Sequence, residues 1–172
     1  IYRLAKRKAA ERLGAGQTRN LPRNTEIEAA VFERQRLFED DASRQRLTHL
    51  RRAAVQAMQL LEPFHPRLVG PVLAGIVNGR DELTLHLFAD SPEEVIFYLQ
   101  DRGVIWRSDE RRFKGAQGHV AYPCLEFGAD GVDVDAVVFP VDGIRQPPPS
   151  PVDGRPMRRA DVREVERLLE GQ

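Results

Sequence analysis

The segment that most constrains the fold is Leu68-Val69-Gly70-Pro71-Val72-Leu73-Ala74-Gly75, which ten residues separate from Glu82-Leu83-Thr84-Leu85-His86-Leu87-Phe88 when counted from Pro71. An apolar strand predicted over 67–73 runs into a glycine turn. After a short polar crossing, a second strand over 82–88 alternates polar residues at 82, 84 and 86 with leucines at 83, 85 and 87. That period of two puts Glu82 and Thr84 on one face and the leucines on the other, so one side of the strand is buried. A glycine turn next to a strand-end carboxylate is the layout of a metal-and-phosphate site: backbone amides approach a phosphate chain, and carboxylates hold divalent cations.

At these residues the chain resembles the polymerase-beta-like nucleotidyltransferase superfamily, particularly its minimal one-domain members. The family pattern is an apolar residue, glycine and serine, a spacer, then two acids alternating with apolar residues, with a third acid on a later strand. Gly70 matches the glycine and Glu82 the first acid, while Pro71 stands at the serine and Thr84 at the second acid. The third acid has its counterpart in Val134-Asp135-Ala136-Val137-Val138-Phe139-Pro140, with Asp133 two residues upstream as a substitute on the same face. The resemblance spans roughly residues 66–140. It implies magnesium held by Glu82, Asp135 and Asp133, with Glu82 and Asp135 in the catalytic role, and a nucleoside triphosphate near Gly70, Gly75 and Arg80. Pro71 lacks both an amide hydrogen and a hydroxyl, and Thr84 removes a bridging carboxylate. A two-cation mechanism depends on such bridges, so the implied member is a degenerate one, retained to bind a nucleotide or a protein partner. The enzyme alternative is a magnesium-dependent transferase working with Glu82, Asp135 and a substitute acid.

The rest of the chain supports an α/β (α+β) fold, a small mixed sheet with helices against one face and an added amino-terminal helical region. We expect three parts within one compact domain: helical residues 1–62, the sheet region 63–146, and a proline-rich connector with a final helix over 147–172. Helices are predicted over 2–13, from the capping box at Thr25-Glu26-Ile27-Glu28 to near Asp40, and from Ser43 to Leu61 with Leu47, Leu50, Ala54, Ala57, Met58 and Leu61 on one stripe. Ser91-Pro92-Glu93-Glu94 starts another helix that places Val95, Tyr98 and Leu99 inward and ends at Gly103. Further strands are predicted over 104–107, 119–127 and 132–139, the last two joined by a turn at 128–131. Pro147–Pro151 reads as a stiff polyproline-like bridge, and Asp161 caps a last helix.

Charge narrows the partners. The chain is neutral overall, with 26 basic and 26 acidic residues, but residues 1–62 hold 13 basic against 8 acidic. Arginine outnumbers lysine 23 to 3, a coding-type bias, and the excess is mild for a nucleic-acid binder. A nucleic-acid module using the basic amino-terminal helices is therefore the third reading. No apolar run reaches the roughly 20 residues that span a bilayer, and residues 1–13 lack a continuous apolar leader; the expectation is a cytoplasmic protein without membrane contact. Cys124 is the one cysteine, read as a small buried hydrophobe. His86 lies deeper on the Glu82 face, where a packed sheet histidine is the simpler reading. The basic cluster Arg155–Arg159 is read as a solvated connector, or else as a strap across the sheet.

Overall fold

A computed structural model describes residues 24–115 and 118–171, with backbone alone at 24–28 and 32–39. The expected helix over 2–13 lies outside the described residues. Residues Ile1–Gln45 and Arg46–Gln172 are two compact units. In the first, residues 40–45 are exposed, and Arg44 and Asp41 make a loose surface pair at 3.9 Å.

The helix α1 runs over Asn24–Leu60 without the interruption expected near Asp40. Asp40, Asp41 and Ser43 are cap-type residues, but no glycine or proline lies among them. Each such residue costs only about half a kcal/mol inside a helix, too little to break one. From Leu47 onward its buried stripe holds Leu47, Leu50, Ala53, Ala54, Ala57 and Met58, and Leu61 just past its end is buried too, which accounts for every core position expected from the spacing.

After the helix come β1 (Arg67–Val69), the one-turn helix α2 (Pro71–Ala74), β2 (Glu82–Phe88), α3 (Pro92–Asp101), β3 (Trp106–Gly115), β4 (Gly118–Ala129), β5 (Val132–Phe139) and α4 (Val162–Glu170). The five strands form one mixed sheet in the order β1-β2-β5-β4-β3. β1 is antiparallel to β2, β2 is parallel to β5, and β4 is antiparallel to both β5 and β3. The strands over 67–73, 82–88 and 132–139 therefore share a sheet, as the sequence led us to expect.

Three boundaries differ. The first strand ends at Val69 rather than Leu73, because Gly70 at φ 80° turns the chain and Pro71, with its fixed φ, opens a helical turn. The strand expected over 104–107 starts at Trp106 and continues to Gly115 through a charged run that carries no apolar alternation. Residues 147–157 fold back on themselves rather than forming a stiff bridge: Ser150 donates to the Arg155 carbonyl and Met157 to that of Pro148. The β4–β5 turn is tighter than drawn from sequence. Ala129 pairs with Val132, and Asp130 and Gly131 sit at φ 53° and 75°, the two positive values of a type I′ hairpin.

Alternation fixes which sheet face meets the helices. Leu83, Leu85 and Leu87 of β2, Val132, Val134, Ala136 and Val138 of β5, and Leu125 and Phe127 of β4 pack with the α1 stripe, with Val95 and Leu99 of α3 and with Val165 of α4. Among the described residues, the helices α1, α3 and α4 bury their apolar side chains on this side of the sheet. Tyr98 closes the end of the layer, its hydroxyl donating to the Leu60 carbonyl and its ring meeting Phe64 edge-on. Asp161 accepts from the Glu164 amide at 2.9 Å, which makes it the expected cap of α4. Leu85 is fully buried between β1 and β5. Leu85→Ala should lower unfolding stability by about 2–5 kcal/mol, since the pleated neighbours cannot collapse into the void. Urea denaturation checks this, and a loss below about 1 kcal/mol would contradict the packing.

Candidate functional site

The opposite sheet face carries the residues singled out from the sequence. Register places Glu82 beside Asp133 and Thr84 beside Asp135, and Glu126 of β4 lies across from Asp135. Register partners share a face, so Glu82, Thr84, Asp133, Asp135 and Glu126 all stand on the side away from the helices. The β1–α2 turn adjoins this corner because Val69 is the register partner of Thr84.

The turn is built for a sharp reversal. Gly70 (φ 80°, ψ −157°) and Gly75 (φ 84°) take backbone conformations that a side chain would strain. Between them, the last carbonyls of α2 are claimed by Arg51 of α1, whose Nε donates to the Val72 carbonyl and Nη2 to the Leu73 carbonyl, each at 3.1 Å. Arg51 is only 6 % exposed. Burial, then the charge of Arg158, lowers the pKa of its guanidinium. It belongs to the buried stripe of α1 at a position where helical spacing calls for an apolar residue; that misfit was its only trace in the sequence.

Between this turn and the start of β2 lies a cleft of about 40 Å³, lined among others by Val69, Pro71, Asn78, Arg80, Glu82 and Thr84. Small-molecule sites occupy roughly 300–1,000 Å³, and the cleft is much smaller than that. Arg80, expected at the phosphates, is exposed and lies 3.9 Å from the Glu82 carboxylate. Asp81 precedes β2 and pairs with Arg46 at 2.9 Å, while its carbonyl accepts from the Asp133 amide.

The carboxylates of this face have arginine neighbours. Arg111 of β3 donates from Nη2 to Asp135 Oδ2 at 3.0 Å, and Arg107 stands 3.6 Å from Glu126. Burial raises the Asp135 pKa above its ordinary value; Arg111 opposes that shift, and the nearby charges of Glu82 and Asp133 add to it. The three expected metal ligands therefore sense one another electrostatically. Among the described residues, no three His, Cys, Asp or Glu side chains are grouped so as to hold a metal ion. The donor set fits a two-cation centre poorly: Thr84 offers a hydroxyl where a bridging carboxylate is needed, and Asp135 already receives a guanidinium.

The remaining sequence candidates sit elsewhere. His86 is completely buried, away from the acids, in an aromatic cluster with Phe113 and Phe139. Cys124 is buried, and burial first of all pushes its thiol up to about 12, so it stays a neutral apolar filler. Of the basic cluster, Arg159 does lie across the sheet, over Phe88 and Phe139 rather than beside the acids. No family model, curated protein or solved structure matches the chain.

Removing Arg111 isolates its effect. In Arg111→Ala the Asp135 carboxyl loses the guanidinium that favours its charged form, so its pKa should rise further above the ordinary range. Carboxyl-carbon NMR titration measures this directly, and an unchanged or lower value would contradict the pairing.

Proposed function

We propose that this chain is a nucleotidyltransferase-type scaffold whose catalytic site has been converted into a non-catalytic binding face, with a protein partner as the favoured occupant. The observation that carries this reading is the pairing on the open strand surface: Asp135 with Arg111, Glu126 with Arg107 and, more loosely, Glu82 with Arg80. A surface meant to hold two hard cations concentrates uncompensated carboxylate oxygen. Here acid and base alternate, which suits the polar surface of another macromolecule, where charge placement gives specificity and register. The order β1-β2-β5, with the Gly70 turn between the first two strands and Glu82 and Asp135 on one face, supports the scaffold assignment. The size of the cleft favours a protein partner over a nucleotide.

Loss of one preorganised charge-stabilising donor costs about a hundred- to thousandfold in turnover, and loss of a bridging carboxylate should cost no less. Incubation with labelled nucleoside triphosphates and magnesium or manganese is expected to give no incorporation. Robust incorporation abolished by Glu82→Ala would overturn the reading in favour of an active transferase. The double variant Pro71→Ser with Thr84→Asp tests the scaffold itself. Adding two hard oxygens to the Glu82 face should make manganese raise the melting temperature more than it does for the natural chain. No gain would reduce the protein to an α/β interaction domain without a latent cation site.

A further inference from the structure

Away from the acids, Ile144 and Arg159 of the segment 141–159 cover the aromatic half of the open face, and just past the segment Ala160 exchanges two backbone hydrogen bonds with Leu68 of β1; within the segment, Arg159 makes the polar tie to the sheet. Arg159 donates from Nε to His86 Nδ1 at 3.0 Å and from Nη1 to the Gly143 carbonyl at 2.8 Å. Its guanidinium stacks over Phe88 and Phe139, 4.9 and 5.0 Å from their ring centroids. Because His86 Nδ1 accepts a hydrogen bond, the proton of the neutral ring sits on Nε2, and both His86 Nε2 and Arg159 Nη2 are buried without a partner. The contact therefore exists in one protonation state only. We propose that His86 and Arg159 form an acid-released clasp: a single proton on His86 converts the acceptor into a donor, expels Arg159 and frees the 141–159 segment while the helix-backed core stays folded.

The surroundings of His86 leave that proton uncompensated. β1 contributes Arg67, its register partner; β3 contributes Arg111 and the edge of Phe113; the segment contributes Arg159. On β5 the register partner is Val137, and Asp135, two residues before it on the same face, is already bound to Arg111. β4 adds the neutral groups Tyr122 and Cys124 to the same cluster, and Asp142 and Arg145 of the segment are exposed. Burial, then Arg159 and Arg111, lowers His86 from its ordinary 6.5 to about 3. The sign follows. The open state binds the proton at an ordinary histidine pKa and the closed state does not, so closure is fully stable above about 6.5 and weakens as pH falls toward 3. Between those limits, each pH unit should raise the opening equilibrium about tenfold.

Hydrogen exchange resolved by segment, corrected for intrinsic rates and run from pH 7 to pH 4.5, tests this. Amides of residues 141–146 should lose protection about tenfold per pH unit below 6.5 while remaining less protected than those of β2 and β5. His86→Asn keeps an oxygen at the Nδ1 position but cannot take the proton, so its segment should exchange at a rate independent of pH. Should that variant fold poorly, Arg159→Met keeps an apolar stem over the rings and removes the clasp; its segment should already be unprotected at pH 7, with His86 titrating closer to 6.5 by NMR. Protection of 141–146 that is flat with pH, or that falls only in step with the strand core, would overturn the proposal. So would the natural pH slope persisting in His86→Asn.

Discussion

The parallel pairing of β2 with β5 determines the character of both sheet faces. Side chains alternate along each strand, so burying Leu83, Leu85 and Leu87 with Val134, Ala136 and Val138 under the helices commits Glu82, Thr84 and His86, together with Asp133, Asp135 and Val137, to the other side. A slip of one residue would put carboxylates into the helical core, where an unpaired charge costs several kcal/mol. The apolar layer thus specifies the register, and the register assembles the candidate site. Apolar burial is worth roughly 25 cal/mol per Å², which makes this layer the energetic basis of the unit.

The open face is divided along its strands. Toward the start of β2 and β5 it is a lattice of acids and arginines; toward their ends it is an aromatic cluster under the 141–159 segment. Exposed pairs such as Arg107 with Glu126 contribute roughly 0–1 kcal/mol. They act less as stabilisers than as charge compensation, without which the carboxylates of three adjacent strands would repel one another. Arg111 and Asp135 are more enclosed, and there the arginine takes up lone pairs that a cation would need. The same residue type serves three ends in one chain: Arg51 shapes the Gly70 turn, Arg111 neutralises Asp135, and Arg159 closes the far half of the sheet.

Elements whose signal is local were legible in the sequence. The alternation of β2, the Ser91-Pro92 start of α3, the apolar stripe of α1 and the Asp130-Gly131 turn each follow from neighbouring residues, and all are present, although the Ser91 side chain makes no capping hydrogen bond. Where a boundary depended on tertiary pairing, the sequence misled. β3 is a charged edge strand whose extension to Gly115 rests on β4 rather than on any pattern of its own. The continuity of α1 past Asp40 depended on the absence of a breaker rather than on a positive signal. For the site, the placement of Glu82, Asp133 and Asp135 on one face could be read from periodicity. The distant arginine partners could not, since Arg111 lies 24 residues from Asp135 and Arg159, which holds His86, lies 73 from it.

Either arginine compensates the Glu82–Asp135 surface or that surface is open to cations. Paramagnetic broadening by manganese, read residue by residue in an amide NMR spectrum of the natural chain, distinguishes the two, because a bound paramagnetic ion erases the signals around it. With the acids compensated by arginine, manganese should produce weak, non-saturating effects spread over exposed carboxylates. Saturable broadening centred on Glu82, Thr84, Asp133 and Asp135 at low manganese concentration would contradict this and reinstate a working cation site.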